Sequence, residues 1–166
     1  MATALFITRT DLVKNTILDG NVDTDKFLQY IKIAQQIYVR NYLGSKLYDK
    51  ISNDIIADNL TGNYLSLVQD YIQPMLIHYA MMDYLPFAAY QIKNGGVYKH
   101  RSENSDTATK EEIDYLVQKE RNMAEYYTTR FVEYMSFNNG LFPEYTANVN
   151  NDIHPDTDTT FNGWVL

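Results

Sequence analysis

The chain has 166 residues, which is room for one domain with a core of its own. It contains no cysteine, so disulfide frameworks, thiolate metal sites and cysteine nucleophiles are excluded. A net charge of -7 argues against a protein whose whole surface binds nucleic acid. No apolar run approaches the ~18 residues that a membrane-spanning helix needs.

Tyrosine is the outlier of the composition, with 15 Tyr beside 7 Phe and 1 Trp. A tyrosine has an apolar body and a polar tip, so it suits surfaces that are wet before assembly and buried after it. The composition therefore favours a protein that makes contacts over one that performs chemistry.

The first half of the chain predicts three helices separated by glycines. A short amphipathic helix over 9–18 has Thr8 or Thr10 as its cap. A stronger helix begins at Thr24 or Asp25 and ends at Gly44, and Ser45 is placed to cap the next one, from Lys46 to about residue 57.

The most hydrophobic segment, residues 64–93, predicts a central core helix. Pro74 and Pro86 lie inside it, and each predicts a kink or a short break. We expect the helix to end at Asn94-Gly95-Gly96 and to be followed by a polar loop or short hairpin over 97–108.

A long helix is predicted next, because Thr109 and Glu112 form a capping-box pattern ahead of an apolar stripe that ends near Phe137. With the preceding elements this predicts an all-α fold, a compact bundle of four to five helices over residues 1–138 with an extended acidic tail over 139–166.

The predicted tail contains no Lys or Arg and four acids, which leaves the body at about -3. It also carries aromatic and apolar residues, which contribute binding energy only when a partner buries them. We therefore interpret it as a partner-docking tail. Its anchors are Phe142, Pro143, Tyr145, Phe161 and Trp164. We expect truncation after Asn139 to leave a folded body and to weaken assembly.

Candidate chemistry in the sequence is sparse. His78 has no nearby nucleophile or carboxylate in sequence, and we interpret it as a packed or hydrogen-bonded histidine. Asp152, His154, Asp156 and Asp158 alternate in a way that could serve a cation, but the EF-hand glycine and glutamate are missing. We predict no enzyme activity, no cofactor and no metal.

One local excess of positive charge occurs at Lys93, Lys99, His100 and Arg101. Two interpretations stay open, a loop that touches phosphate and an ordinary solvated loop.

Several short motifs, taken in order, resemble phage head–tail connector proteins, most of all those of Bacteroides-type tailed phages including the crAss-like group. The resemblance spans about residues 7–145 and rests on the order of its pieces. They are AQQI at 34–37, YLGSKLY at 42–48, VQ at 68–69 with QPML at 73–76 and YA at 79–80, NGGV at 94–97 and LFPEY at 141–145.

The resemblance implies a small helical subunit of the virion neck, made in the host cytoplasm. Such subunits form a homo-oligomeric ring, typically twelvefold, that joins the portal protein to the next neck or tail component and extends the DNA channel. Lys93, Lys99 and Arg101 would then be a candidate DNA-channel loop, with no sequence specificity. The alternatives are a small helical nucleic-acid-binding regulator and a non-catalytic accessory subunit.

Overall fold

The computed structural model describes residues 4–18, 24–88, 90–99, 108–147 and 152–159. Within these ranges the chain is a compact helical bundle with one two-stranded hairpin, so the predicted all-α class is confirmed. The helices and strands are α1 Arg9–Asn15, α2 Thr24–Ala34, α3 Arg40–Ile56, α4 Gly62–Leu67, α5 Gln73–Tyr84, β1 Tyr90–Lys93, β2 Gly96–Lys99, α6 Lys110–Asn138 and α7 Pro143–Thr146.

Helix α5 forms the centre of the bundle and packs mainly against α6 and α2. Every residue from Met75 to Met82 is buried, and a helix that is apolar on all sides belongs inside a protein. The other helices turn one face inward, with Ile31 on α2, Leu47 on α3 and Phe131 on α6 fully enclosed.

Two helix starts follow the predicted capping chemistry. The Thr109 hydroxyl accepts from the Glu112 N–H, and the Glu112 carboxylate accepts from the Thr109 N–H at 2.7 Å. Thr8 and Asp11 form the same reciprocal arrangement at α1. Each box satisfies backbone donors that have no partner within the first turn.

The α-helix is interrupted just ahead of Pro74, where a kink or a short break is predicted. A π-helical turn over Val68–Ile72 joins α4 to α5, and the Gln73 N–H donates to the Val68 carbonyl, five residues back. Proline lacks an N–H and crowds the carbonyl four residues before it. The wider turn ahead of Pro74 gives the ring room, so the chain continues into α5 without leaving the helical path.

The predicted helix end at Lys93 is wrong. Helix α5 ends at Tyr84, a 3-10 turn over Leu85–Phe87 surrounds Pro86, and β1 follows. Strands β1 and β2 are antiparallel, with Lys93 opposite Gly96, so Asn94-Gly95 is a two-residue hairpin turn. The positive φ at this end of the hairpin is that of Gly96, at 134°, a value that favours glycine.

The predicted tail is not extended throughout. A 3-10 turn over Asn139–Leu141 and the short helix α7 follow α6, and residues 152–159 have no regular secondary structure. Phe142 is fully buried, with its ring 5.3 Å from that of Tyr64 in an edge-to-face arrangement. The packed body therefore continues past the boundary expected after residue 138.

None of the described helices is both long enough and apolar enough to cross a membrane.

Candidate functional site

The C-terminal strap, residues 152–159, lies across the junction between the two halves of α3. The helix is interrupted at Gly44, whose φ of 72° is left-handed. The Ser45 N–H donates to the Ile153 carbonyl, and the Ile153 N–H donates to the Ser45 hydroxyl, both at 3.0 Å. Ser45 thus binds both backbone groups of Ile153, the carbonyl through its own N–H and the N–H through its side-chain hydroxyl.

Gly44 and Pro155 are in close contact beneath this pairing. A Cβ built on Gly44 would lie 2.8 Å from the Pro155 Cδ and 3.1 Å from the Ile153 carbonyl oxygen. Only glycine gives both the positive φ and the space that the strap occupies. Gly44, which the sequence predicts as a helix end, therefore also provides the surface on which the strap packs.

Further bonds fix the strap on both sides of Pro155. The Asp156 N–H donates to the Asn41 carbonyl at 2.9 Å, and Arg40 forms an ion pair with Asp152 at 3.3 Å. The Tyr42 hydroxyl donates to the Asp158 carbonyl at 3.3 Å. The strap is held mostly by backbone groups, so its path depends little on its side chains.

Beside the strap lies an open cavity of about 440 Å³, which we call the tyrosine cavity. Its volume is in the range of sites that bind ligands or partner side chains. Three tyrosines from separate helical turns form its walls, α6 adds one cation and one acid, and the strap closes one side. The lining residues are Ile37, Tyr38, Asn41, Tyr42, Tyr79, Met82, Arg121, Glu125, Asp156, Asp158 and Thr159.

The phenols of this cavity are held in their neutral form. The rings of Tyr38 and Tyr79 stack with centroids 4.0 Å apart, and the Tyr38 hydroxyl donates to Asp83 at 3.2 Å. Burial, together with the Asp83 charge, raises the pKa of Tyr38 to about 12. Burial likewise raises the pKa of Tyr42 and Tyr79. All three remain hydrogen-bond donors at neutral pH.

The hairpin of β1 and β2 lies apart from the helices. Its one extensive contact within the described part of the chain is between its own two strands. Tyr90 and Val97 are exposed at 49% and 67%, and Lys99 is exposed at the end of β2. The hairpin therefore offers apolar and cationic groups to solvent.

A second exposed surface is the aromatic stripe of α6, formed by Tyr115, Tyr126 and Phe137. Consecutive members are about three helical turns apart, so they share one face over about 33 Å. Their exposed fractions are 61%, 60% and 88%. About 16 Å separates consecutive members, and polar residues such as Lys119 and Glu133 lie between them on the same face. Each is a separate exposed aromatic group of the kind enriched where one protein contacts another.

The predicted docking anchors have different placements. Phe142 is enclosed by its own chain, so a partner cannot reach it while this segment is packed. Pro143 begins α7 and is exposed, and Tyr145 is half-buried beside the strap residue Asp156, so that burial and this charge raise its pKa. Phe161 and Trp164 lie outside the described residues.

The predicted basic loop is only partly placed. Lys93 ends β1 and Lys99 ends β2, so the two strands bring these positions to one hairpin. Lys99 is exposed, and Arg101 lies outside the described residues.

His78 has the packed role expected from sequence, with a partner that the sequence did not reveal. Its Nδ1 lies 2.7 Å from the Glu120 Oε2, and its ring stacks on Tyr127 at 5.5 Å. Because His78 is on α5 and Glu120 on α6, only the packing of the two helices brings them together.

The aspartates of the alternating tail segment bond to other groups of the protein. Asp152 pairs with Arg40, and the Asp156 carboxylate accepts from the Asp158 N–H at 2.9 Å. Among the described residues no three histidine or acidic side chains converge as metal ligands would.

The tyrosine cavity is the part of the site that the sequence did not predict. Tyr38 and Tyr42 are one helical turn apart, which was the available signal, but Tyr79 and Glu125 join them from two other helices. The strap completes the cavity from a segment more than a hundred residues away along the chain.

A known protein family matches most of the chain. Residues 39–155 match a family described as a family of unknown function, DUF6712. The match extends from the residue before α3 to Pro155 of the strap, and so includes the Gly44 turn, the hairpin and α6. No curated protein and no solved structure gives a significant match. Because the matched region is well over half of the chain, this protein belongs to the DUF6712 family.

Proposed function

We propose that this protein is a structural subunit of a phage virion, a head–tail connector that forms a ring below the portal. The proposal rests on the ordered motifs that resemble connectors, from AQQI at 34–37 to LFPEY at 141–145. In this role the protein has no catalytic function. It joins the portal to the next neck component and extends the channel through which the genome passes.

The observation that carries the proposal is the aromatic stripe of α6. Tyr115, Tyr126 and Phe137 leave three large aromatic side chains in water along one face of α6, although the same chain buries Phe131 and Phe142 completely. Exposed aromatic side chains are enriched where one protein contacts another. We assign it to contact with the portal or with the next neck component.

The charge of the chain supports the same role. A net charge of -7 leaves little general attraction for DNA, whose binding strength depends on the number of cationic contacts. A lumen built from such subunits lets DNA pass without holding it.

The test is assembly with a portal. The purified chain is mixed with the portal protein encoded in the same genome, and native mass spectrometry and electron microscopy measure the products. We expect a ring of copies seated on the portal. A chain that remains a monomer and ignores the portal contradicts the proposal.

A matched pair of variants tests the stripe. Tyr126→Glu places a charge on the stripe, and Asp114→Asn alters an exposed polar residue of the same helix that lies about 100° or more around the helix from the stripe. We expect the first variant to lose portal binding by about tenfold or more and the second to retain it. Equal binding by both variants would remove the stripe from the interface. Tight, sequence-selective DNA binding in a gel-shift assay would favour the nucleic-acid-binding regulator.

A further inference from the structure

The hairpin lacks the support that such an element needs. A two-stranded hairpin alone is marginally stable in water and is normally stabilised by packing on a third element. Here β1 and β2 pair with each other, and no helix in the described ranges packs on them extensively. Tyr90 and Val97 are left in solvent, so the hairpin presents apolar groups that the described part of the chain does not cover.

The charge of the hairpin restricts what can cover it. Residues 84–102 contain no aspartate or glutamate, whereas Lys93 and Lys99 end the two strands. A complementary surface is therefore partly apolar and acidic.

The tyrosine cavity has these properties on the same molecule. Its walls are phenol rings and aliphatic side chains, which suit the exposed apolar groups of the hairpin. Glu125, Asp156 and Asp158 line it, and Arg121 is the one cationic residue in the described lining. A lysine side chain entering it would meet acids and the faces of aromatic rings, both of which attract cations.

We propose that the hairpin of one copy docks in the tyrosine cavity of the next copy. This inference rests on the proposed ring-forming function, for which it supplies the contact between subunits. The two surfaces are different, so each subunit uses its hairpin on one neighbour and its cavity on the other. Such a head-to-tail contact generates a closed ring when the rotation between subunits closes.

The strap is part of this contact. Asp156 and Asp158 are two of the three acids in the cavity, and they are placed by the Asn41 and Tyr42 bonds described above. When the strap is released, the cavity loses Asp156 and Asp158 and keeps only Glu125 of its three acids. The side that the strap closes is then open.

Cysteine cross-linking tests the contact cleanly, because the natural chain contains no cysteine. One variant carries Val97→Cys on the hairpin, and another carries Ile37→Cys at the cavity. A disulfide forms only when the two Cβ atoms come within about 4.5 Å. Mixing the two single variants under mild oxidation should give a heterodimer and nothing larger. The double variant should give a ladder that ends at the ring.

The control replaces the cavity position by Ile56→Cys. Ile56 and Ile37 are both 52% exposed, but Ile56 is at the end of α3 and does not line the cavity. We expect at least tenfold less product from the mixture of the Val97→Cys and Ile56→Cys variants. Equal yields from both mixtures, or no product from the first one, would overturn the inference.

Charge reversal gives an independent measurement. Lys99→Glu and Glu125→Lys should each reduce cross-linking about tenfold, and the two changes together should restore most of it. Failure of the double change to restore cross-linking counts against a direct contact. Circular dichroism checks that each variant keeps its helices.

The outcomes separate this inference from the proposed function. Rings on the portal whose yield is unchanged by Lys99→Glu would overturn the hairpin contact and leave the connector role intact. Failure of the chain to form any ring on the portal would remove the connector role itself. If Lys99→Glu instead weakens binding to a DNA duplex of random sequence and leaves cross-linking unchanged, the hairpin faces DNA and the inference is wrong.

Discussion

The backbone of Gly44 supports the ring of Pro155, although the two residues are separated by most of the chain. The space for a side chain at Gly44 is filled, since its Cβ would lie 2.8 Å from the Pro155 Cδ. We expect Gly44→Ala to lower the free energy of unfolding by about 1–3 kcal/mol, because alanine is strained at positive φ and the strap has to move. Urea denaturation measures the free energy, and limited proteolysis reports release of the strap.

Gly62→Ala is the control for this prediction. Gly62 also has a positive φ, of 60°, but nothing lies within 4 Å of its missing Cβ. Both variants should therefore carry backbone strain, and only Gly44→Ala should expose residues 152–159 to protease. Equal protease sensitivity in the two variants would show that the strap does not depend on Gly44.

Phe142 is a core residue by its burial, so its removal should destabilise the whole body. We expect Phe142→Ala to lower the free energy of unfolding by about 3–5 kcal/mol, because a large enclosed ring leaves a cavity. The neighbouring Leu141 is 45% exposed, and Leu141→Ala should change stability by less than about 1 kcal/mol. Thermal unfolding followed by circular dichroism measures both.

The same residue alters the expected result of truncation. A chain cut after Asn139 loses Phe142 and the Glu144 carboxylate that accepts from the Tyr64 hydroxyl at 2.6 Å. We expect this chain to be severely destabilised, in contrast to the folded body expected from the sequence. A chain cut after Ala147 loses residues 148–166, which include the strap, and should remain folded, with a weaker contact between the subunits of the proposed ring. If both truncated chains unfold at the same temperature, Phe142 does not stabilise the body.

Stability should fall in alkaline solution because of the cavity phenols. Tyr38 ionises near its ordinary pKa of 10.0 when the chain is unfolded, but burial and Asp83 raise its pKa in the folded protein to about 12. The raised pKa means that the folded state binds the proton more tightly. The contribution of Tyr38 to the free energy of unfolding is complete below about pH 10 and is lost as the pH rises through about 12. Urea midpoints at neutral pH and at about pH 11 measure this loss.

Tyr38→Phe removes the ionising group. The loss of stability between neutral pH and about pH 11 should therefore be smaller in this variant than in the wild type. Tyr115→Phe changes an exposed tyrosine of the aromatic stripe and should leave the loss unaltered. An identical loss in the wild type and in Tyr38→Phe would contradict the assigned role of Tyr38.

The buried pair of His78 and Glu120 should contribute to stability through its hydrogen bond. Glu120→Ala leaves the His78 Nδ1 without its partner at 2.7 Å, and we expect a loss of about 1–3 kcal/mol. Glu120→Gln keeps a group that can bond to the imidazole, so its loss should be smaller. Chemical denaturation compares the two variants, and equal losses would mean that packing alone, and not the hydrogen bond, accounts for the effect.

The features that the sequence predicted well depend on neighbours along the chain. The Thr109–Glu112 capping box, the interruption at Gly44 and the apolar helix around Met75 are each determined within a few residues. The apolar spacing was therefore sufficient for the fold class. Asn94-Gly95 also carries a local signal for a hairpin turn, but the apolar residues before it favour a helix that ends there.

The features that escaped prediction depend on contacts between distant segments. Nothing local distinguishes Phe142, which packs against Tyr64, from an exposed anchor in the tail. The seating of Pro155 on Gly44 likewise exists only once α3 and the strap meet. The tyrosine cavity combines α5, α6 and the strap, so periodicity within one element could not reveal it.

Because the strap is synthesised after the other described elements, it is also the last of them that can take its place in the fold. Residues 152–159 leave the ribosome after every other described element, so a nascent chain can form its helices while Ser45 and Asn41 still bond to water. The acids Asp156 and Asp158 reach the cavity only at that late stage. In the proposed ring, a neighbour that recognises these acids would therefore select chains whose strap has been made, and shorter translation products would be left out.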